Sequence, residues 1–203
     1  MKRPNSGNAT VFNRLAALYT RMDTVYAETA SQVDFTCAGC PENCCVSYFQ
    51  HHTYVEWAFL WVGMNELPPA RREVFLERAH ENVDQCRTAL SIGLRPRAMC
   101  PLNEAGRCQL YHHRLMICRL HGTAHTAPRP DGAQVRYPGC FRFEAATVGS
   151  SAENMPVLDR LPLYRELALL EMAFLGRKVR TLPKVSLTLS EMLTAGPPRM
   201  VGA

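Results

Sequence analysis

The chain has 203 residues, 47% of them hydrophobic and 20% charged, enough to bury a sizeable core and too apolar for a disordered polymer. Its longest apolar run, Val55 to Met64, is broken by Glu56 and falls short of a membrane span, and Met1 to Asn8 hold no apolar stretch of signal-peptide kind. With a net charge of +5 the expectation is a soluble, cytoplasmic protein with no membrane partner.

The elements follow in chain order. Val11, Leu15, Leu18, Met22 and Val25 recur at spacings of three and four, which predicts an opening helix from about Ala9 to Val33. A turn carrying Gly39 and Pro41 comes next. Thr53-Tyr54-Val55-Glu56 has capping-box form and starts a second helix through Trp57 and Trp61 to Met64; the tryptophan pair reads as helix core. Pro68-Pro69 opens a third, with Phe75, Ala79, Val83, Cys86 and Leu90 on one face. From Ser91 to about Ser151 the helical period disappears, and short strands or single turns are expected. A last helix spans about Leu158 to Val179, with Leu161, Tyr164, Leu167, Leu170 and Phe174 inward, and Ala195 to Ala203 read as a flexible tail. The fold class expected is mainly α: a helical single domain with an irregular Cys-rich metal-binding centre. Its divisions fall at 1–34 (N-terminal helical arm), 35–150 (Cys-cluster domain) and 151–203 (C-terminal helix and tail).

Eight of the nine cysteines fall into two clusters. The first is compact, Cys37, Cys40, Cys44 and Cys45; the second is open, Cys100, Cys108, Cys118 and Cys140. Clustered thiolates are soft ligands that select zinc, copper(I) or iron–sulfur clusters. In a reducing compartment such a pattern points to metal rather than disulfides, and an odd total fits a disulfide framework poorly. C-x₂-C is the shortest loop that converges two sulfurs on one metal. Adjacent side chains diverge on a strand or helix, so Cys44 and Cys45 divide between two metals, bind different atoms of a multinuclear cluster, or leave one thiol over. Eight thiols satisfy two four-coordinate centres, or one cluster with thiols left for chemistry. Cys86 reads as a small core hydrophobe.

Arg95, Arg97, Arg107, Arg114, Arg119, Arg129, Arg136 and Arg142 surround the second cluster, opposed only by Glu104 and Asp131. A four-thiolate centre carries a net charge of about −2, which guanidinium groups would offset. The arginines therefore argue only weakly for nucleic acid. His51, His52, His112, His113 and His121 flank the clusters, and surface or hydrogen-bonded roles suit them, because a complete thiolate set needs no imidazole. No Gly-rich phosphate loop, G-x-S-x-G or H-E-x-x-H is present.

C-x₂-C-x₃-C-C over Cys37, Cys40, Cys44 and Cys45, then Cys100-Pro101-Leu102, Cys108, Tyr111, Arg114, Cys118-Arg119 and Cys140, resembles the YkgJ-type cysteine-cluster family over residues 35 to 142. The chain departs from that pattern at Glu42-Asn43, where the family often has Gly-x, and at Leu115, where it usually has proline. The resemblance implies a zinc- or iron-chelating domain, and a related motif in flagellin lysine methylases keeps protein modification in view. The function expected is chelation of an iron–sulfur cluster, preferred, or Zn²⁺ by the eight cysteines, in a redox or protein-modifying accessory role. Tyr111, Arg114 and Arg119 supply supporting hydrogen bonds and charge. The alternative is a structural zinc-binding module for a protein or nucleic-acid partner. Whether the protein is an enzyme stays open.

Overall fold

The computed structural model describes residues 6–38, 40, 44–129, 132–151 and 154–199. Among these the chain is mainly α-helical: α1 (Ser6–Ser31), α2 (Tyr54–Glu66), α3 (Pro69–Ser91), α4 (Met116–Leu120), α5 (Phe141–Ala146), α6 (Leu161–Leu175) and α7 (Leu189–Thr194). Five short strands accompany them: β1 (Asn103–Glu104), β2 (Arg107–Cys108), β3 (His125–Pro128), β4 (Gln134–Tyr137) and β5 (Leu158–Asp159). No helix among the described residues is long and apolar enough to cross a membrane. Gly39 and Pro41 of the expected turn, Glu42-Asn43 and Asp131 lie outside the described residues.

The chain divides by packing rather than by order. One compact unit comprises Met1–Phe12, Glu42–Leu115 and Glu171–Ala203, and the other Asn13–Pro41 and Met116–Leu170. The linear partition at residues 34 and 150 does not coincide with these units, because α1 and α6 each contribute to both.

In the first unit α2 and α3 meet α7 around Leu60, Met64, Phe75, Ala79, Leu102, Leu115, Met192 and Leu193. Leu115 is fully buried in this core. Both tryptophan indoles serve as anchors. Trp57 and Trp61 donate to the Met192 carbonyl, and Trp57 also to that of Gly196, so the start of the expected tail is held down. The helix of Met192 was not foreseen, although Thr188 and Glu191 form a complete capping box at its start.

The box expected at Thr53 takes another form. The Thr53 hydroxyl donates to the Glu56 carboxylate, while the orphan N–H groups of Tyr54 and Val55 are taken by Glu171 at 2.9 and 2.8 Å. Two further expectations are corrected on solvent exposure: Leu90 is exposed at the last turn of α3, and Tyr164 is exposed on α6, whose buried face runs through Leu163, Leu167 and Leu170 instead. Cys86 is half-buried on α3 and donates to Asn82, and burial pushes its thiol pKa up.

In the second unit β3 pairs antiparallel with β4 and parallel with β5, beside a cluster of Ala30, Phe35, Ala124 and Phe143 in which the two phenylalanines meet edge to face. On α1 the buried stripe of Val11, Leu15, Leu18 and Met22 matches its period.

His51 gives the first unit a pH dependence. Its backbone pairs with Leu187 in both directions, and the ring is 2% exposed. Burial, then the charge of His52, lowers its pKa to about 3. The unfolded state therefore takes up a proton that the folded state refuses. Its contribution is complete above about pH 6.5 and is lost as pH falls from there toward 3, at about 1.4 kcal/mol per pH unit. Urea unfolding at pH 7 and pH 5 should give a wild-type difference exceeding that of His51→Gln by about 2 kcal/mol; equal differences would remove His51 from this role.

Candidate metal centres

The fold cuts both cysteine clusters. Cys44, Cys45, Cys100 and Cys108 belong to the first unit, and Cys37, Cys40, Cys118 and Cys140 to the second. All nine cysteines are thiols rather than disulfides. Each unit thus holds four of the eight clustered sulfurs.

In the first unit Cys44 and Cys45 open a single 3₁₀ turn, Cys44–Val46, closed by Ser47 N–H on the Cys44 carbonyl at 2.9 Å. Adjacent side chains were expected to diverge, as on a strand or helix. The chain here is a turn, and the Cys44 side chain hydrogen-bonds to the Cys45 sulfur. That contact, against the opposing effect of burial, lowers the Cys45 pKa to about 6, with Asn103 and the charge of Arg114 adding to it. Cys100 donates its N–H to the Cys45 carbonyl at 2.9 Å, and Asn103 donates its own to the Cys100 carbonyl at 3.0 Å. Three of the four cysteines are so tied through backbone.

β1 and β2 bring in the fourth by pairing Asn103 with Cys108. Ala105 and Gly106 make that hairpin turn at φ of 49° and 79°, conformations that suit glycine far better than alanine. The Asn103 carboxamide oxygen accepts from Gly106 N–H at 3.2 Å, while its NH₂ is buried without a hydrogen-bond partner. Cys100 and Cys108 pack against the core, and a groove of about 520 Å³, lined by Arg78, Asn82, Met99, Asn103 and Glu104, reaches Cys100.

In the second unit the C-x₂-C turn is closed by Cys40 N–H on the Cys37 carbonyl at 3.3 Å. Tyr26 on α1 stands 3.5 Å from the Cys37 sulfur, and Arg142 donates to the Ala38 carbonyl at 3.0 Å. Arg142 opens α5 two residues after Cys140, so the loops of Cys37 and Cys140 are bound together. Cys140 itself packs on Phe35 and Phe143 and donates its N–H to the Gly122 carbonyl at 2.7 Å. Gly122 has φ of 121°, and a Cβ there would stand 2.6 Å from the Tyr26 hydroxyl. Cys118 rides on α4, four residues before Gly122.

Among the described residues no three His, Cys, Asp or Glu side chains are grouped so as to hold a metal ion. Each unit nevertheless carries four of the clustered thiols, soft donors of the kind that thiolate centres use.

The other expected site residues separate. Arg114 lies over the Tyr111 ring at 4.0 Å, donates to its hydroxyl at 3.0 Å and acts on Cys45 through its charge. Arg119 is buried against Tyr19 and Asp23 of α1. His113 packs on Phe59 and fills the notch at Gly63, where a Cβ would stand 2.5 Å from its ring. His52 meets the Val185 carbonyl at 3.1 Å. Sequence reasoning missed Asn103 and Tyr26, since a lone amide and a helical tyrosine carry no spacing signal. No protein-family model, curated protein or solved structure matches the chain.

Proposed function

We propose that the protein is a metal chelator with two four-thiolate centres, Cys44, Cys45, Cys100 and Cys108 holding one and Cys37, Cys40, Cys118 and Cys140 the other. The observation that carries this reading is the four-and-four division of the clustered cysteines between the two units. An iron–sulfur cluster is preferred over Zn²⁺, because adjacent thiolates take different irons of one cluster more readily than two vertices of one tetrahedron. Such a centre, when bound, supplies structural cross-linking and one-electron chemistry. The chain's own groups orient it: Asn103 and Arg114 at Cys45, Tyr26 at Cys37.

The resemblance to YkgJ-type proteins supports the same reading, as does a reducing, cytoplasmic location, and a redox or protein-modifying accessory role follows from it. Nucleic acid is disfavoured as a partner because arginines are already paired, Arg119 buried on Asp23 and Arg71 and Arg78 on Glu104 at the surface.

Anaerobic purification followed by metal and acid-labile sulfide analysis tests the proposal. Iron and sulfide should appear in equal amounts, with Cys100→Ser losing about half and Cys140→Ser the other half. A colourless protein with stoichiometric zinc would overturn the iron preference. Loss of all metal in either variant would overturn the separate centres, and no metal after reconstitution would overturn chelation.

A further inference from the structure

The apolar stripe of α3 outlasts the core it packs on. Phe75, Ala79 and Val83 are buried, and the same face reaches Leu90, which is 49% exposed. Ile92 and Leu94 follow at 66% and 59%, and Met99 stands at 46%. Single apolar side chains at a surface are ordinary, whereas a group of them beside one helix end marks a surface that a partner covers.

This patch is held in place by backbone. Gly93, at φ of 74°, closes α3 with its N–H on the Leu90 carbonyl at 3.1 Å, and Leu94 N–H meets that of Ala89 at 2.9 Å, the two bonds of a Schellman cap. The chain then returns beside α3, where Asn82 donates to the Met99 carbonyl at 2.8 Å. Met99 so borders both the patch and the groove of about 520 Å³ that Arg78, Asn82 and Gln85 line. A surface fixed in advance loses little freedom on binding.

Its charge has one sign. From Cys86 to Asn103 the sequence carries Arg87, Arg95 and Arg97 and no acidic residue. Arg87 and Arg95 are exposed. Glu104, just beyond, is taken by Arg71 and Arg78, while Glu81 and Asp84 lie earlier on α3, Glu81 on the groove wall. A second copy of the chain would set arginine against arginine across a two-fold axis. A bilayer surface would leave the groove beside Met99 unfilled, and a side chain from a protein can enter it.

We propose that Leu90, Ile92, Leu94 and Met99, with Arg87 and Arg95, dock an acidic amphipathic helix of a protein partner. Its apolar side chains cover the patch, and its carboxylates meet the guanidinium groups. This surface belongs to the first unit and uses no cysteine, so it stands or falls apart from chelation.

Panning a displayed library of random peptides against the full chain tests the proposal. Enriched sequences should carry net negative charge with apolar residues at helical spacing. Leu94→Ser and Arg95→Glu, both at exposed positions and so expected to fold as the parent does, should each weaken binding of a synthetic copy about ten-fold or more. A copy with its carboxylates replaced by lysine should prefer Arg95→Glu to the parent, which lost folding cannot mimic. Basic or uncharged peptides, peptides that bind both variants as well as the parent, or an empty selection would overturn the acidic helix. So would binding to phosphatidylserine vesicles, or a concentration-dependent dimer, that Leu94→Ser abolishes; the first would give the patch to a membrane and the second to another copy.

Discussion

Stripping the holoprotein with a chelator should melt β3, β4, α4 and α5 while the core of the first unit survives. The second unit keeps buried stripes on α1 and α6, but near Cys140 its apolar cluster is Ala30, Phe35, Ala124 and Phe143, and between Met116 and Ala146 its helices are five and six residues long. Isolated helices of that length are not stable in water, nor are strands of two to four residues. Structural zinc in small folds contributes about 10 kcal/mol at neutral pH, comparable with the whole stability of an ordinary domain. The first unit keeps α2, α3 and α7 on Leu60, Met64, Phe75 and Met192, all fully buried. Hydrogen exchange on the loaded and stripped protein reads this directly. Amides of β3, β4, α4 and α5 should lose nearly all protection on stripping, and those of α2 and α3 should keep theirs. Equal protection of the second unit in both states would show that metal contributes nothing to its folding.

That contrast explains why helices were readable in the sequence and the grouping of the cysteines was not. Val11, Leu15, Leu18 and Met22 announce α1 because burial imposes a period of 3.6. β3, β4 and β5 are too short to display a period of two, so their sheet has no pattern to find. The compact cysteine run reads as one site on paper. The unit boundary passes inside it, between Pro41 and Glu42, and passes again between Leu115 and Met116, so each linear cluster contributes two thiols to each unit. Spacing records how far apart ligands are along the chain, and loop closure costs too little for that distance to decide which sulfurs meet. Glu171 teaches the same lesson for capping: a local Thr53–Glu56 box was legible, yet a carboxylate more than a hundred residues away takes the N–H groups.

Arg119→Ala should cost about 3 kcal/mol of stability in the metal-free protein, and this separates a fold-building arginine from one that serves a centre. Arg119 is 3% exposed, its guanidinium lies 4.1 Å over the Tyr19 ring, and it donates to Asp23 at 2.7 Å. Tyr19 and Asp23 are four residues apart on α1 and so share one face, which receives the arginine as a single receptor. Removing one partner of a buried pair costs about 3–5 kcal/mol. Here the lower end applies, because the Asp23 side chain is 34% exposed and water can reach it once the arginine is gone. Lost packing of the side-chain stem on Tyr19 adds to the charge effect. Urea unfolding of Arg119→Ala, Asp23→Ala and the double variant should return a coupling of about 1–2 kcal/mol. Absence of coupling, with metal-free stability unchanged and only metal retention reduced, would remove Arg119 from the framework of the second unit.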